Sequence, residues 1–357
     1  MTASDIQTAT SWASTSSPID VLINNQKTLE PVAQRRDWSS FIAQCNRAPR
    51  LNEFKRFFSD TAGGRSGQPL EHPQVDRTLL PEDELLDWMI RLHEQRRGRF
   101  DPHYHASIPY RVEEACRLGR AILLYSQSIP RPLHLYSIGS AEGTMARTVA
   151  ELGQGRVESL ACSPNVENYE SFILHGDPPH ASFFVGPFHH LTRDVLQSRP
   201  DLARFASGFD VIIEDTTFQM YSPNRVEQIE FIAQNLRENG IVLFLEKFRQ
   251  PDMNDYLQRE EQKDRCFKAK YFDMGEIASK KKEVLTLMNQ NEVTIDEMTS
   301  AVKRHFSHCF ITWNSGNFHT LIASNSLENL NTFMAGLVQP AVPKEFVYET
   351  LPRRLCG

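Results

Sequence analysis

The stretch 133-LHLYSIGSAEGTMARTVAELG-153 decides the fold of this chain. An apolar run, a turn of small residues and an amphipathic run follow one another in it without a gap. Small residues at positions 139, 141 and 143 allow the backbone to approach a ligand closely, and the first amides of the following helix point towards the turn. The stretch therefore predicts a strand–turn–helix unit that binds a nucleotide-like molecule.

The same alternation continues after this unit. β-rich runs separate amphipathic runs, and strands are predicted at 133–138, 156–163, 181–186, 209–215 and 241–248. Such alternation is typical of a parallel sheet with helices on both faces. The later segment SHCFITWNSGNFHTLIAS (307–324) predicts an antiparallel hairpin, because a turn with Gly and Asn separates two β-rich runs.

Composition narrows the class of protein. The 357 residues carry a formal net charge of −6 and are 40% hydrophobic, which suits one large α/β domain with additions. The acidic balance predicts no nucleic-acid partner, and the lack of any run of about eighteen apolar residues predicts no membrane-spanning helix. Six scattered cysteines without a CxxC pair favour reduced thiols and a cytoplasmic location. Residues 1–18 are rich in Ser, Thr and Ala, and we expect a disordered tail there.

Four segments are predicted along the chain. Residues 1–75 form an N-terminal extension that is partly disordered, and residues 76–130 form a helical lid. The core spans residues 131–325 and contains a helical insertion at 250–305. Residues 326–357 form a C-terminal tail.

The turn GSAEG (139–143) admits three cofactor interpretations. A phosphate-cradling loop follows the pattern GxxxxGK[ST], but no lysine follows here. A dinucleotide fingerprint, G-x-G-x-x-G, fits poorly, because its three glycines would fall on Gly139, Ala141 and Thr144. The third interpretation is S-adenosylmethionine (SAM).

Residues 131–248 resemble the core of class I SAM-dependent methyltransferases. SIGSAEG (137–143) fits the spacing of the family's D-I-G-x-G-x-G motif, ACSP (161–164) is similar to its D-x-S-P, and FDVIIED (209–215) resembles its fourth strand. The resemblance implies a Rossmann-like methyltransferase fold, with a mostly parallel seven-stranded sheet, an antiparallel last strand, and SAM as cofactor. It also implies a set of cofactor-binding residues: Ser137, Gly139, Ser140, Ala141, Glu142, Gly143, Ser163 and Phe188.

The chain departs from the family where carboxylates are expected. Ser137, Ala161 and Pro187 stand at positions that usually carry an acid. A hydroxyl at Ser137 accepts a hydrogen bond but carries no charge. The alternative to cofactor binding is therefore a degenerate fold that has lost it.

Other side chains are expected to replace those acids. We expect Glu142 to supply negative charge near the cofactor, Ser163 and Asn165 to bond the ribose, and Phe188 to pack on the adenine. These roles follow from the resemblance rather than from the spacing of the residues.

Two polar clusters follow the third and fourth predicted strands, where open α/β sheets place their sites. They are GPFHHLT (186–192) and EDTTFQMYSP (214–223). His189 or His190, together with Gln219, could coordinate a divalent metal, and such a donor set suits Mn or Fe. The competing interpretation is that the histidine pair is solvated and that Gln219 faces a substrate without a metal.

A narrower resemblance concerns the loop DTTFQMY, the helical segment 252–300 and the N-terminal lid. These features are similar to the metal-dependent methyltransferase domains of polyketide-synthase loading modules. The similarity implies C-methylation of a malonyl-type acyl thioester, on a carrier protein or as a small molecule, in secondary metabolism. The candidates for catalysis are then Asp215, Gln219 and His189, with Glu214 or Glu246 as alternative bases.

Two rival functions stay open on the sequence alone. One is a metal-independent O- or N-methyltransferase of a small molecule, with His189 or His190 as general base. The other is a non-catalytic binding protein with a methyltransferase-like core.

Overall fold

The computed structural model describes residues 36–357. The disordered tail expected at residues 1–18 lies outside the described residues. The strands are β1 (Leu133–Ile138), β2 (Val157–Ser163), β3 (Ala181–Val185), β4 (Phe209–Asp215), β5 (Leu236–Lys247), β6 (His308–Ser315), β7 (Phe318–Ser324) and β8 (Arg353–Cys356).

These strands form a sheet in the order β3-β2-β1-β4-β5-β7-β6-β8. The first five are mutually parallel, whereas β7 runs antiparallel to both β5 and β6. This is the Rossmann-like methyltransferase fold, so the predicted fold class is confirmed. The sheet has one strand beyond the predicted seven, because β8, near the C-terminus, pairs antiparallel with β6.

The α-helices precede, connect and follow these strands. In chain order they are α1 (Ser39–Asn46), α2 (Lys55–Ala62), α3 (Glu84–Arg96), α4 (Asp101–His105), α5 (Arg111–Gln127), α6 (Thr144–Gly153), α7 (Val166–Ile173), α8 (Arg193–Ser198), α9 (Arg225–Ala233), α10 (Met253–Gln262), α11 (Met274–Lys280), α12 (Thr286–Gln290), α13 (Ile295–Val302) and α14 (Leu327–Ala335). Among residues 36–357, no helix has both the length and the apolar character needed to cross a membrane.

The main core lies between the sheet and four of these helices. Met89 of α3, Ile122 of α5, Val149 of α6 and Phe333 of α14 pack in one apolar cluster with Leu135 of β1. All seven residues of β4 are buried, as expected of a central parallel strand covered on both faces. The burial of apolar surface in this cluster holds the carboxyl ends of the strands in fixed positions.

The segment between β5 and β6 forms a helical insertion over these carboxyl ends. It contains α10 to α13 and two π-helical stretches, Lys263–Phe267 and Lys281–Leu285. Lys247 at the end of β5 forms ion pairs of 2.9 Å with Glu260 and with Glu292. Helix α12 also packs against the turn that follows β4. The insertion is therefore anchored to the edge of the sheet at which ligands bind in this fold class.

Candidate functional site

A cavity opens at the carboxyl ends of the parallel strands. About 1160 Å³ of space free of protein atoms lies within it, including the part open to solvent. Gly139 after β1, Ser163 at the end of β2, Phe188 after β3, Thr216 after β4 and Lys247 at the end of β5 all line it. Every parallel strand of the sheet thus contributes to one site, as expected for open α/β sheets.

The turn after β1 has a backbone that requires small residues. Gly139 and Gly143 both have φ of +69°, and Ala141 has φ of +47°. A Cβ on Gly139 would lie 1.6 Å from Oγ1 of Thr217, and a Cβ on Gly143 would lie 2.3 Å from Cβ of Ala161. The left-handed backbone and the close packing together account for the glycines, and they leave backbone exposed to the cavity.

Two serines near this turn have different surroundings. Ser137 is fully buried in β1 and is not among the residues that line the cavity. Ser140 lines the cavity, and its Oγ has no hydrogen-bond partner among the described residues. Ser140, rather than Ser137, therefore presents a hydroxyl to a ligand at this turn.

Glu142 does not face the cavity, in contrast to the expectation from the sequence. Its Oε1 accepts a hydrogen bond of 2.6 Å from the backbone N–H of Phe100, beside the start of α4. Burial, and then the nearby Asp101 carboxyl, raise the pKa of Glu142 well above its usual value. A buried carboxyl that accepts a hydrogen bond from Phe100 and does not line the cavity is poorly placed to supply negative charge to a cofactor. The spacing of the motif gives no indication of this burial.

A polar network closes the end of β2. Oγ of Ser163 accepts a hydrogen bond of 2.7 Å from Nδ2 of Asn168. Nη2 of Arg50 donates to Oδ1 of Asn165 at 2.6 Å, and the guanidinium lies 4.1 Å from the ring centroid of Phe58. Ser163, Asn168 and Arg50 line the cavity, whereas Asn165 does not. No sequence signal marked Arg50, because it reaches the site from a position 115 residues before Asn165.

Aromatic rings form the apolar part of the lining. Phe188, predicted to pack on an adenine, lines the cavity and is 2% exposed. Its ring meets Tyr221 edge to face, with centroids 5.1 Å apart. Phe58 and Phe100 stack with centroids 5.8 Å apart and line the cavity as well. This lining is suited to a flat, largely apolar ligand group.

The loop after β4 lies between the turn after β1 and the end of β5, because β4 stands between those strands in the sheet. Thr216, with φ of +50°, and Gln219 line the cavity from this loop. Gln219 is 3% exposed, and its Oε1 has no hydrogen-bond partner among the described residues. Of the side chains predicted to act in catalysis, Gln219 is the one that the structure places on the cavity.

Asp215 is held in a buried ion pair next to this loop. Its Oδ2 accepts a hydrogen bond of 2.6 Å from Nη2 of Arg111, and its Oδ1 accepts one from the hydroxyl of Tyr104. Asp215 is not among the lining residues, whereas Tyr104 is. The carboxylate therefore joins α5 to β4 and fixes the Tyr104 ring at the cavity wall.

The two glutamates considered as bases also lie behind the lining. Oε1 of Glu214 accepts backbone hydrogen bonds from Thr217 and Phe218, at 2.5 and 2.9 Å. Burial, followed by the charge of Glu246, raises the pKa of Glu214 well above its usual value. Glu246 itself forms an ion pair of 2.8 Å with Arg225. Both side chains shape the loop after β4 and do not reach the cavity.

The predicted metal ligands His189 and His190 share a different partner. Nε2 of each ring lies within hydrogen-bond distance of Oδ1 of Asn46, at 2.9 and 2.8 Å. Neither histidine lines the cavity that Gln219 lines. Burial lowers the pKa of His189 to about 3, so its ring is neutral. The predicted donor set does not fit a metal centre in this arrangement, and residues 36–357 hold no group of three or more His, Cys, Asp or Glu able to bind a metal ion.

A group of lysines that the sequence does not mark also lines the cavity. Lys247 comes from β5, Lys263 and Lys268 from the insertion after α10, and Lys280 from the end of α11. Three of them are buried, and Lys280 is half-buried. In the sequence Lys263, Lys268 and Lys280 lie in charged helical segments, where a solvated face is the usual expectation, and Lys247 ends a predicted strand.

Comparisons with known proteins find solved structures of low similarity. No family model and no curated protein matches the sequence. The plantazolicin methyltransferase BamL, in complex with a triazolic desmethylPZN analog and SAH, is 12% identical with a TM-score of 0.43, over 71% of this chain and 100% of that one. The plantazolicin methyltransferase BpumL in complex with SAH is 11% identical with a TM-score of 0.42, over 68% of this chain and 100% of that one.

A third similar structure is YJHP from E. coli. It is 13% identical with a TM-score of 0.34, over 54% of this chain and 63% of that one. Similarity of this size concerns the arrangement of the chain and does not bear on activity.

Proposed function

We propose that this protein is a SAM-dependent methyltransferase that acts on a small-molecule substrate. The observation that carries the proposal is the turn after β1, where Gly139, Ser140 and Ala141 line a cavity at the carboxyl ends of the parallel strands. The sequence of this turn resembles the SAM-binding motif of class I methyltransferases, and the strand order is the one that family uses.

The groups on this side of the cavity fit the chemistry of SAM. The unpartnered hydroxyl of Ser140 and the backbone of Gly139, which both line the cavity, offer polar contacts to the amino-acid part of the cofactor. Ser163 and Asn168 offer hydroxyl and amide groups to a ribose. Phe188 offers an aromatic surface for an adenine. Uncharged groups thus replace the carboxylates that the sequence lacks.

Methyl transfer needs few reacting groups from the protein. SAM, held by Gly139, Ser140 and Phe188, would supply an electrophilic methyl group to the substrate. The protein contributes positioning, which is the main source of rate enhancement in such a reaction. We propose that Thr216 and Gln219 orient the methyl acceptor. Both line the cavity from the loop after β4, and β4 lies between β1 and β5 in the sheet. The aromatic lining limits the access of water.

The proposal has two finer parts. One is that the acceptor is an acyl thioester, free or on a carrier protein, and the other is that a divalent metal assists the transfer. The geometry of His189 and His190 gives no support to the metal. Formation of SAH from SAM is measured with a panel of acyl thioesters as methyl acceptors, with and without added Mn or Fe, and this assay tests both predictions.

Titration calorimetry tests the proposed function directly. SAM and SAH are titrated into the purified protein before and after treatment with a chelator, and ATP and NAD are titrated as controls for the rival nucleotide interpretations. We expect one molecule of SAM or SAH to bind with micromolar affinity in both preparations. Failure of both ligands to bind, or equally tight binding of ATP or NAD, would overturn the proposal.

A further inference from the structure

We propose that Lys268 and Lys280 form an anion-binding subsite that holds a carboxylate or phosphate group of the substrate. The inference rests on the proposed function in one respect, because it assigns the anion to the methyl acceptor. Both lysines line the cavity from the insertion after β5, whereas the proposed SAM site begins at the turn after β1.

The lining of the cavity is strongly biased in charge. Its carboxylate side chain is Glu292. Its cationic side chains are Arg50, Lys247, Lys263, Lys268 and Lys280. A chain whose overall charge is negative therefore places an excess of positive charge in the cavity. Clefts lined by one sign of charge concentrate ligands of the opposite sign.

Two of the lysines are neutralised by the protein itself. Nζ of Lys247 lies 2.9 Å from carboxylate oxygens of both Glu260 and Glu292, and 2.7 Å from the hydroxyl of Tyr256. Nζ of Lys263 lies 2.6 Å from Oε2 of Glu260. These contacts anchor the insertion, and they leave little of either charge for a ligand.

The other two lysines have weaker partners. Nζ of Lys268 lies 3.3 Å from Oδ1 of Asp264, and that oxygen makes no hydrogen bond of good geometry. Nζ of Lys280 contacts two neutral groups instead of a carboxylate, namely Nε2 of His103 and, at 2.8 Å, Oγ of Ser107. Burial lowers the pKa of His103 well below its usual value, so the ring carries no charge.

Burial and mutual repulsion act on both ammonium groups. Burial, and then the charge of Lys263, lower the pKa of Lys268 to about 8. Burial, and then the charges of Lys268 and Lys263, lower the pKa of Lys280 well below its usual value, while Asp264 acts in the opposite direction. A bound anion would relieve this repulsion and favour the protonated amines. Anion binding is therefore expected to take up protons.

The backbone around these lysines is of a kind often found at functional sites. Lys263 begins the first π-helical stretch, and Lys268 follows its end directly. The second stretch begins at residue 281, next to Lys280, and contributes Val284 and Leu285 to the cavity. Single π-helical turns inside helices occur frequently at functional sites. Apolar and cationic groups from the insertion thus face the same space.

The chemistry of the subsite defines the ligand group. Ammonium groups are compact point charges that bind carboxylate and phosphate oxygens. Two neighbouring lysines suit a carboxylate or a phosphate better than a neutral amide or sugar. We therefore infer an anionic acceptor, with its charged end at Lys268 and Lys280 and its reacting atom beside the loop after β4.

Calorimetry with simple anions tests the subsite. Inorganic phosphate and malonate are titrated at constant ionic strength into the full-length protein, with malonamide as the neutral control. We expect one of the two anions to bind once per chain, with proton uptake seen as a dependence of the heat on buffer ionisation enthalpy, and malonamide not to bind. The anion that binds more tightly shows whether the site is built for a carboxylate or a phosphate.

Paired lysine variants assign the binding to these residues. Lys268→Gln and Lys280→Gln are each expected to lower the affinity for the anion at least about tenfold, as expected for the loss of a hydrogen bond to a charged group. Lys270→Gln and Lys282→Gln change exposed lysines of the same segment that do not line the cavity, and they are expected to leave the affinity unchanged. Circular dichroism checks that each variant is folded.

The outcomes separate this inference from the proposed function. Absence of anion binding to the wild type, or equal weakening by all four variants, overturns the subsite. SAH binding is measured on the same samples and without anion. If SAH binds and no anion does, the methyltransferase proposal stands and the subsite fails, whereas anion binding without SAH binding leaves an anion site in a protein of another function.

Discussion

At the scale of single residues, the proposed cofactor side is built mainly from uncharged groups, with the Arg50 guanidinium beside the end of β2. Gly139, Ser140 and Ala141 present backbone and one hydroxyl, and Ser163 and Asn168 present a hydroxyl and an amide. Carboxylates near this side are turned away from it or paired with arginine. The affinity for SAM then depends on the shape of the turn more than on charge, and two substitutions test this.

The first substitution is Gly139→Ala, with Gly316→Ala as its matched control. Both glycines have a left-handed backbone, with φ of +69° and +62°, so the backbone conformation alone costs each alanine about 1–2 kcal/mol of stability. A Cβ at position 139 would meet Oγ1 of Thr217 at 1.6 Å, whereas one at position 316 meets no atom within 4 Å. We expect calorimetry to show at least about tenfold weaker SAM binding for the first variant only. Equal affinity in both variants would contradict the proposed place of the cofactor.

The second substitution is Glu142→Gln. Burial, and then Asp101, raise the pKa of Glu142 and so favour its neutral form, and the amide oxygen of glutamine can accept the same hydrogen bond from Phe100. We expect the affinity for SAM at neutral pH to stay within about twofold of that of the wild type. A large loss of affinity would show that a charge at Glu142 serves the cofactor.

Individual residues differ in how far the sequence reveals their roles. The turn at residues 139–143 could be predicted, because small residues at this spacing between a strand and a helix are typical of a backbone that approaches a ligand. The burial of Glu142 could not be predicted, because it depends on the packing of the distant segment around Phe100. Lys280 and Lys282 belong to the same run of lysines, yet the first lines the cavity and the second is exposed. Only the packing of the insertion distinguishes them.

At the scale of elements, helix α5 is joined to the site by buried charged groups. Arg111 at its first residue pairs with Asp215 of β4. Glu113, in the same first turn, is 3% exposed and accepts a hydrogen bond of 2.8 Å from the backbone N–H of Asp76. The position of α5 therefore depends in part on the buried carboxyl group of Glu113, whose partner in this contact is a backbone N–H and not an arginine.

This contact makes the stability of the folded protein depend on pH. Burial raises the pKa of Glu113 from 4.5 to about 7. The folded protein then holds this proton more tightly than the unfolded chain, so stability is fully present below pH 4.5 and falls as pH rises towards 7. The difference is on the order of 3 kcal/mol. We expect urea denaturation to show that Glu113→Gln stabilises the protein more at about pH 8 than at about pH 5; an effect independent of pH would contradict this assignment.

The strands of the core could be predicted from the sequence, whereas the residues at which some of them begin could not. β1 and β4 have the predicted bounds, since short apolar runs between turns leave little ambiguity. The fifth strand begins at Leu236 rather than at 241, because a bulge near Asn239, with φ of +60°, lets the chain join the sheet early. β8 was not predicted, since RRLC becomes a strand only through pairing with β6.

At the scale of the whole molecule, the strand order brings two chemically different walls to one cavity. β1 and β2 contribute the uncharged wall proposed for SAM, and β5 with the insertion contributes the lysine-rich wall proposed for the substrate. The loop after β4, with Gln219, lies between them. The sequence predicts the first wall through its motif, but the second wall depends on contacts between distant segments, such as that of Lys280 with His103.

Amide hydrogen–deuterium exchange with and without SAH tests this division most directly. The account predicts that SAH slows exchange at residues 139–143, 163–168 and 216–221 and leaves the insertion at 263–285 largely unchanged. Addition of the anion that binds is predicted to slow exchange in the insertion. Protection by SAH confined to the insertion, or no protection of the turn at 139–143, would contradict the account.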